Sequence, residues 1–169
     1  FSISPTVKID RILLRAHPAA STATVSDTAL SFTTEQVVQP PEQRVTVALP
    51  GAHDGRVTLV WIYRGTIDDP PKEPRHLRFV TPSETAGHIG PEGVYLSSES
   101  QWYPDIAGSL SAYRLTALVP QGWSVVTQGR KTEETTDGEH VCSTWVVSDR
   151  SEALTLVANR FAIKSRAWK

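Results

Sequence analysis

The chain has 169 residues, of which 39% are apolar and 21% charged, and its formal net charge at pH 7 is −1. This composition indicates a globular protein of one ordinary domain rather than a disordered chain. The near-neutral charge leaves no electrostatic footprint for nucleic acid or an anionic membrane, and no apolar run approaches the ~20 residues that span a bilayer.

Two further features of the composition bear on the origin of the chain. It begins at Phe1, contains no Met and has no basic region followed by an apolar core, so we expect an excised piece of a larger protein without a signal peptide. Cys142 is the only cysteine, which excludes an intramolecular disulfide and a cysteine-rich zinc site. One cysteine fits the cytoplasm and a bacterial cell envelope equally, and both compartments stay open.

The first third of the chain predicts strands. Twelve prolines and ten glycines leave little room for helices. Val7 to Ala16 is the first predicted strand, and Val45 to Leu49 alternates apolar and polar side chains as a strand with one buried face does. The loop Gly51 to Gly55 is rich in turn formers. The strand that follows it, Val57 to Tyr63, is therefore predicted to pair antiparallel with the strand Val45 to Leu49. Because both faces of Val57 to Tyr63 are apolar, we expect it at the centre of a covered sheet.

The middle of the chain alternates between loops and short strands. Ile67 to Pro74 holds three prolines and is predicted to be an extended surface loop. Leu77 to Val80 is a candidate for a brief strand, and Thr81 to Pro91 for a second loop. Gly93 to Gly129 then reads as strand, exposed loop, long strand, tight turn and strand.

The long strand inside that stretch has a clear pattern. Alternate apolar residues place one buried face on it, namely Tyr113, Leu115, Ala117 and Val119. Pro120 to Gly122 ends the strand and turns the chain. Thr132 to Glu139 is predicted to be a polar hairpin tip with its turn at Asp137-Gly138. The whole pattern predicts an all-β fold: a single domain, residues 1–169, built as an antiparallel β-sandwich of two packed sheets with Pro-rich loops and little helix.

Several segments carry a resemblance to a known family. They are Gly93-Val-Tyr-Leu-Ser-Ser-Glu-Ser-Gln-Trp-Tyr-Pro104, Tyr113 to Gly129, Val45-Thr-Val-Ala-Leu-Pro50 with Arg56 to Gly65, and Leu154-Thr-Leu-Val-Ala-Asn-Arg-Phe161. Together they resemble the N-terminal domain of the membrane alanyl aminopeptidase family, the large zinc-dependent gluzincin aminopeptidases. The likeness covers roughly residues 22 to 169, and none of its pieces is a metal or nucleophile motif.

The resemblance implies a domain that carries no catalytic residue of its own. In that family it packs on the C-terminal catalytic domain of the same parent chain, which holds the zinc cofactor. It also borders the pocket that receives the N-terminus of the peptide substrate. By this resemblance the fragment itself binds no zinc.

The loop Ser97 to Tyr103 is the candidate site. In the family a glutamine or glutamate at this loop lines the pocket for the substrate's N-terminal residue; Gln101 matches that position, and Glu99 is the next candidate. The family's longer segment of pattern A-R-x-x-F-P-C-x-D-x-P is cut here to Trp102-Tyr-Pro-Asp-Ile106, so the loop is shorter. The alternative interpretation is a loop that Trp102 and Tyr103 merely anchor in the edge of the sandwich.

No other residue set supplies catalytic chemistry, and we predict that the chain alone is not an enzyme. No two of the five histidines lie within five residues of each other, so the His-Glu-x-x-His helix of zinc peptidases is absent. His140 and Cys142 would share a strand face, but zinc needs three or four ligands. Ser124 has no paired base, and Cys142 has no neighbouring cation in the sequence to activate its thiol.

The alternative function is a stand-alone binding module for carbohydrate or protein. A carbohydrate platform would need two or three coplanar, exposed tryptophans, for which Trp102, Trp123 and Trp168 are the candidates. A protein-binding module held by its edges would need a long apolar edge strand without a partner.

Overall fold

The computed structural model describes residues 1–16, 26–51, 56–69, 85–162 and 164. In this part of the chain the regular structure consists of thirteen strands and one short 3-10 turn, and every strand pairing is antiparallel. The predicted all-β fold is therefore confirmed, whereas the packing of two sheets as a sandwich stays a prediction. None of the described residues belongs to a helix long and apolar enough to cross a membrane.

The strands are numbered in the order in which they occur along the chain. They are β1 (Ser2–Ile3), β2 (Val7–Arg15), β3 (Asp27–Ala29), β4 (Phe32–Val38), β5 (Pro41–Val47), β6 (Thr58–Gly65), β7 (Gly87–Gly90), β8 (Gly93–Leu96), β9 (Ser111–Pro120), β10 (Ser124–Thr127), β11 (Arg130–Thr136), β12 (His140–Ser151) and β13 (Leu156–Asn159). The 3-10 turn, Ser98–Ser100, follows β8.

The strands belong to two compact units. The first comprises Phe1–Ile67 and Gln101–Ala107, and the second comprises Asp68–Ser100 and Gly108–Lys169. The first unit holds the sheets β1-β5-β4 and β3-β2-β6, and the second holds the sheets β10-β13-β8-β7 and β11-β12-β9. The prediction of a single domain over residues 1–169 stays a prediction.

The core of the first unit is aliphatic and small. Its buried members are Ile3, Val7, Ile12 and Val45, with partly buried aromatic and aliphatic side chains packed around them. Ile12, at 1% exposure, comes from the middle of β2, the central strand of its sheet. Burying a side chain of this size contributes about 1.5–3 kcal/mol, so each of these four positions contributes substantially to the stability of the unit.

The predicted hairpin between Val45–Leu49 and Val57–Tyr63 is wrong. β6 pairs with β2, from Val7↔Gly65 to Arg15↔Thr58, while β5 has β1 on one side and β4 on the other. Among the described strands β6 has one partner, and Ile62 is 40% exposed, so β6 is not a covered central strand. Turn residues reveal where a chain reverses, but long-range packing decides which strand it then joins.

The second unit confirms the predicted alternation of β9. Its side chains alternate between half-buried and exposed from Ser111 to Pro120, with Leu115 on the inward face and Leu118 on the outward one. The strand ends at Pro120, and Gly122 takes a φ of 82°, a left-handed conformation that glycine adopts freely. The sequence pattern therefore located both the buried face and the turn.

The hairpin between β11 and β12 turns at the predicted place but is longer than predicted. β11 extends to Thr136, so only residues 137–139 form the tip. Asp137 Oδ1 accepts hydrogen bonds from the backbone N–H of His140 (2.7 Å) and of Glu139 (3.0 Å). These donors, His140 first, lower the pKa of Asp137 because they favour its ionised form.

The sequence did not predict β7. Gly87–Gly90 falls inside the loop predicted for Thr81 to Pro91, because two glycines in four residues give no strand signal. The register Gly87↔Leu96 to Gly90↔Gly93 makes β7 and β8 a tight hairpin. The predicted strand Leu77 to Val80, most of the predicted loop Ile67 to Pro74, and the interior of Gly51 to Gly55 lie outside the described residues.

Candidate functional site

The first half of the loop Ser97 to Tyr103 is a hydrogen-bonded turn at the end of β8. Ser97 donates from its N–H (3.1 Å) and its Oγ (2.6 Å) to the carbonyl of Ala86. Ser100, which is buried, donates from its N–H (3.2 Å) and its Oγ (2.7 Å) to the carbonyl of Ser97. These four bonds close the 3-10 turn and leave Glu99, between Ser97 and Ser100, exposed to solvent.

Glu99 lines an open cavity of about 510 Å³ in the second unit, together with Thr85, Tyr95, Ser97 and Ser98. The volume lies in the range of small-molecule pockets. The hydroxyls of Thr85 and Ser97 are already bonded to the carbonyls of Asp69 and Ala86. Among the described lining residues, the carboxylate of Glu99 and the ring of Tyr95 form a combination suited to a cation.

Gln101 begins the second half of the loop with an unusual backbone. Its φ is 52°, and it is the one non-glycine position with a positive φ among the described residues. Its side-chain Oε1 is buried and has no hydrogen-bond partner within the described part of the chain. A conformation of this kind costs about 1–3 kcal/mol and persists where the surrounding structure enforces it.

The rest of the second half is bonded to the beginning of the chain. The carbonyl of Gln101 accepts the N–H of Ser4 (2.8 Å), and Ser2 and Asp105 exchange two backbone hydrogen bonds of 2.9 Å each. The hydroxyl of Tyr63 donates to the carbonyl of Trp102 (3.2 Å). Burial raises the pKa of Tyr63, which keeps its phenol protonated as a donor.

The aromatic pair of the loop agrees with the alternative interpretation of an anchor. Trp102 and Tyr103 are half-buried and pack edge to face, with ring centroids 4.9 Å apart and planes at 84°. The two predicted site residues have different surroundings: Glu99 is exposed in the second unit, and Gln101 belongs to the first unit with its amide oxygen buried.

No family model, curated protein or solved structure matches the chain. Its function must therefore be inferred from its own residues and from the resemblance seen in its sequence.

The other candidates from the sequence are ordinary strand positions. Ser124 pairs with Asn159 in the ladder between β10 and β13. His140 and Cys142 are half-buried on β12, and His140 Nδ1 lies 3.8 Å from Asp137 Oδ1. Over the described residues no three or more His, Cys, Asp or Glu side chains are grouped to hold a metal ion.

The tryptophans give no row of exposed rings in the described chain. Trp61, Trp102, Trp123 and Trp145 are all half-buried, and Trp168 lies outside the described residues. Trp61 packs edge to face with Phe1 at 5.0 Å, and Lys131 Nζ lies 5.9 Å from the ring of Trp145. These contacts favour structural roles for the indoles.

Sequence reasoning missed one cluster of titratable side chains. His88 lies between Asp68 and Glu92, and both of its ring nitrogens contact a carboxylate. The spacing of His88 and Glu92, four residues apart, was visible in the sequence. It reads as a helical pair, however, and here the two residues face each other across a hairpin turn.

Proposed function

We propose that this chain is the non-catalytic domain of an aminopeptidase-like zinc metallopeptidase. It packs on the catalytic domain of the same parent chain and borders the pocket for the substrate's N-terminus. The zinc belongs to the parent's catalytic domain, and this chain contributes shape and one or two polar contacts. The proposal rests on the resemblance in the sequence and is supported by the geometry of the loop Ser97 to Tyr103.

One observation carries the proposal: the turn Ser98–Ser100 is fixed by four hydrogen bonds and leaves a carboxylate exposed beside an open cavity. A carboxylate carried on a fixed backbone turn suits the recognition of a substrate's free α-ammonium group, because charge-assisted hydrogen bonds are short and directional. Glu99 is the residue to which we assign this contact.

The strained backbone of Gln101 gives separate support. Non-glycine residues in the left-handed region are uncommon, and such outliers cluster at binding and catalytic sites. We assign Gln101 a positioning role, in which its conformation sets the course of the loop. The bonds of Gln101 and Trp102 to Ser4 and Tyr63 hold that course.

The test uses the protein that the gene encodes, purified with its metal. The proposal expects a His-Glu-x-x-His helix in the encoded protein, hydrolysis of aminoacyl anilides and one zinc per chain. Glu99→Gln is expected to raise KM for an aminoacyl anilide about tenfold to a hundredfold, the loss of one charge-assisted hydrogen bond, with zinc content unchanged.

The matched control is Glu139→Gln, the same chemical change at an exposed position in the β11–β12 turn, which is expected to leave KM unchanged. Wild-type kinetics for Glu99→Gln would refute the assignment of that residue. Stoichiometric zinc in the isolated 169-residue chain, or an encoded protein without a zinc motif, would refute the proposed function itself.

A specific observation also favours the second candidate, a protein-binding module. β9 has ten residues, one partner strand among those described, and Leu118 exposed by 63% on its outward face. A long edge of this kind is a template for a strand from another chain. The carbohydrate alternative has no such support, because the described tryptophans are half-buried.

A further inference from the structure

His88 is held between two carboxylates on the β7–β8 hairpin. Its side chain is 17% exposed, its Nδ1 lies 3.0 Å from Asp68 Oδ1, and its Nε2 contacts Glu92 Oε1. The carboxylates themselves are 65% exposed. The ring is therefore shielded on both edges by acidic groups that remain in water.

The geometry selects one protonation state of the ring. An ionised carboxylate only accepts hydrogen bonds, and a neutral imidazole carries a single N–H. With carboxylate oxygens at both Nδ1 and Nε2, both contacts become hydrogen bonds only in the imidazolium form. In the neutral form one nitrogen lone pair faces a carboxylate oxygen, and that contact becomes repulsive.

Backbone bonds align the Asp68 segment with β7. Asp68 and His88 form an antiparallel bridge, and the N–H of Asp69 donates to the carbonyl of Gly87 at 2.9 Å. The N–H of Ala86 donates to Asp69 Oδ2 at 3.1 Å. The segment thus lies along β7, the last strand in the described order of its sheet, and the Asp68 carboxylate is aimed at the ring.

Glycine at position 90 makes room for the other half of the cluster. A Cβ at Gly90 would overlap His88 Nε2 and both carboxylate oxygens of Glu92. The turn that carries Glu92 is itself tied to β13, because Asn159 Nδ2 donates to the Glu92 carbonyl at 2.7 Å. The backbone of the turn is therefore held in place, and the absence of a side chain at Gly90 lets Glu92 reach His88.

The described groups that face His88 are acidic or neutral. Asp68 comes from the segment beside β7, Glu92 from the turn, and Tyr95 lies directly across from His88 on β8. Within the described residues no lysine or arginine is paired with either acid. Burial, the largest single influence, lowers the pKa of His88, but the hydrogen bonds and charges of Glu92 and Asp68 together raise it above 6.5.

We propose that Asp68, His88 and Glu92 form a pH-dependent clasp, in which a doubly protonated imidazole holds the Asp68–Asp69 segment and the Glu92 turn against the edge of the four-stranded sheet. The pKa of Glu92 is lowered from 4.5 by its own backbone N–H and by His88. The Glu92 contribution is therefore lost as pH falls through its folded-state pKa. The His88 contribution is full below 6.5 and lost as pH rises through its raised folded-state pKa.

The primary experiment needs no variant. Nuclear magnetic resonance of the imidazole carbon Cε1 in the full chain measures the His88 titration directly, and we expect a pKa above 6.5 with protons on both nitrogens below it. The protection factor of the Asp69 amide, which bonds to Gly87, is expected to fall about two- to fivefold across that titration, the factor for a partly exposed ion pair. The proposal of a clasp would be overturned by a His88 pKa at or below 6.5, or by an Asp69 protection factor that does not change across the His88 titration.

Variants then separate the clasp from general stability. Glu92→Gln is expected to lower the His88 pKa and to reduce the pH dependence of Asp69 protection, while Glu139→Gln, the same change at an exposed residue of the β11–β12 turn, leaves both unchanged. An unchanged His88 titration in Glu92→Gln would contradict the proposal. These readouts concern the second unit alone and do not depend on the proposed peptidase function.

Discussion

At Gln101 the backbone φ of 52° and the buried, unpaired Oε1 within the described structure are two separate local costs. A left-handed conformation costs a residue with a side chain about 1–2 kcal/mol, whereas glycine adopts it freely. A buried acceptor without a partner costs a further ~1–3 kcal/mol. Stability alone would therefore favour a different residue at this position.

Replacing Gln101 separates these two costs. Gln101→Ala removes the unpaired oxygen but keeps the backbone strain, and Gln101→Gly removes both. We expect the free energy of unfolding of Gln101→Gly, measured by urea denaturation, to exceed that of Gln101→Ala by about 1 kcal/mol. An alanine variant at least as stable as the glycine variant would show that the loop does not hold residue 101 in the left-handed conformation.

At Gly90 the side-chain contact around the residue, and not its backbone conformation, accounts for the residue type. No positive φ requires glycine there; the His88–Glu92 contact does, because a Cβ would occupy the same space. The sequence shows a glycine between a histidine and a glutamate but not that their side chains fold back over it. The sequence therefore did not identify His88 as a site residue, although it shows the histidine and its spacing of four residues from Glu92.

At the scale of elements, the sheet β11-β12-β9 has two contrasting edges. All seven residues of β11 are exposed, and they include Arg130, Lys131, Glu133 and Glu134. β9 carries Arg114 as its only charged residue and exposes Leu118 by 63%. Charged edges resist pairing with other chains, so of the two edges of this described sheet the β9 edge is the better suited to a further strand.

We expect the chain to self-associate through the β9 edge as its concentration rises, and we expect Leu118→Arg to reduce that association, measured by sedimentation velocity, with a change in stability of no more than about 0.5 kcal/mol. The matched control is Thr135→Arg on the opposite edge strand, β11. Thr135 and Leu118 both pair with Cys142 of the central strand β12, so the two substitutions lie at the same level of the sheet. Association of Leu118→Arg equal to wild type would show that the β9 edge is not the pairing surface.

Local chemistry in the sequence was a good guide to individual strands. The alternation from Tyr113 to Val119, the stop at Pro120 and the turn at Asp137 were all readable, since each depends on neighbours in the chain. Partner choice was not readable. The apolar pattern of β6 predicted a central strand beside β5, yet β6 joins β2, because pairing depends on packing between segments far apart in sequence.

The candidate site was predictable only in part. The resemblance drew attention to Glu99 and Gln101, and the structure finds the first exposed at a cavity and the second strained, with a buried amide oxygen. Nothing in the residue pattern indicated that these neighbours belong to different compact units. The division arises because Gln101–Ala107 is hydrogen-bonded to residues at the beginning of the chain, about a hundred positions away in sequence.

At the scale of the whole molecule, the two compact units give a test of the single-domain prediction. Ile12→Ala removes a side chain that is 1% exposed from the first unit, and Leu156→Ala removes one that is 7% exposed from the second, each at a cost of about 2–5 kcal/mol. We expect each variant to lose amide protection at lower urea in its own unit than in the other, measured by hydrogen exchange and mass spectrometry. Simultaneous loss in both units, in both variants, would instead indicate one cooperative domain.

The bridge between Ser2 and Asp105 has a consequence for biosynthesis. Ser2 lies in β1, but Asp105, which bridges to it, is translated only after β7 and β8. A nascent chain that has reached Ile67 therefore lacks Gln101–Ala107, and the first unit cannot be completed in the order in which it is translated. Because closing so long a loop is entropically costly, the bridge between Ser2 and Asp105 forms only after translation has passed Asp105, later than the pairing of β1 with β5.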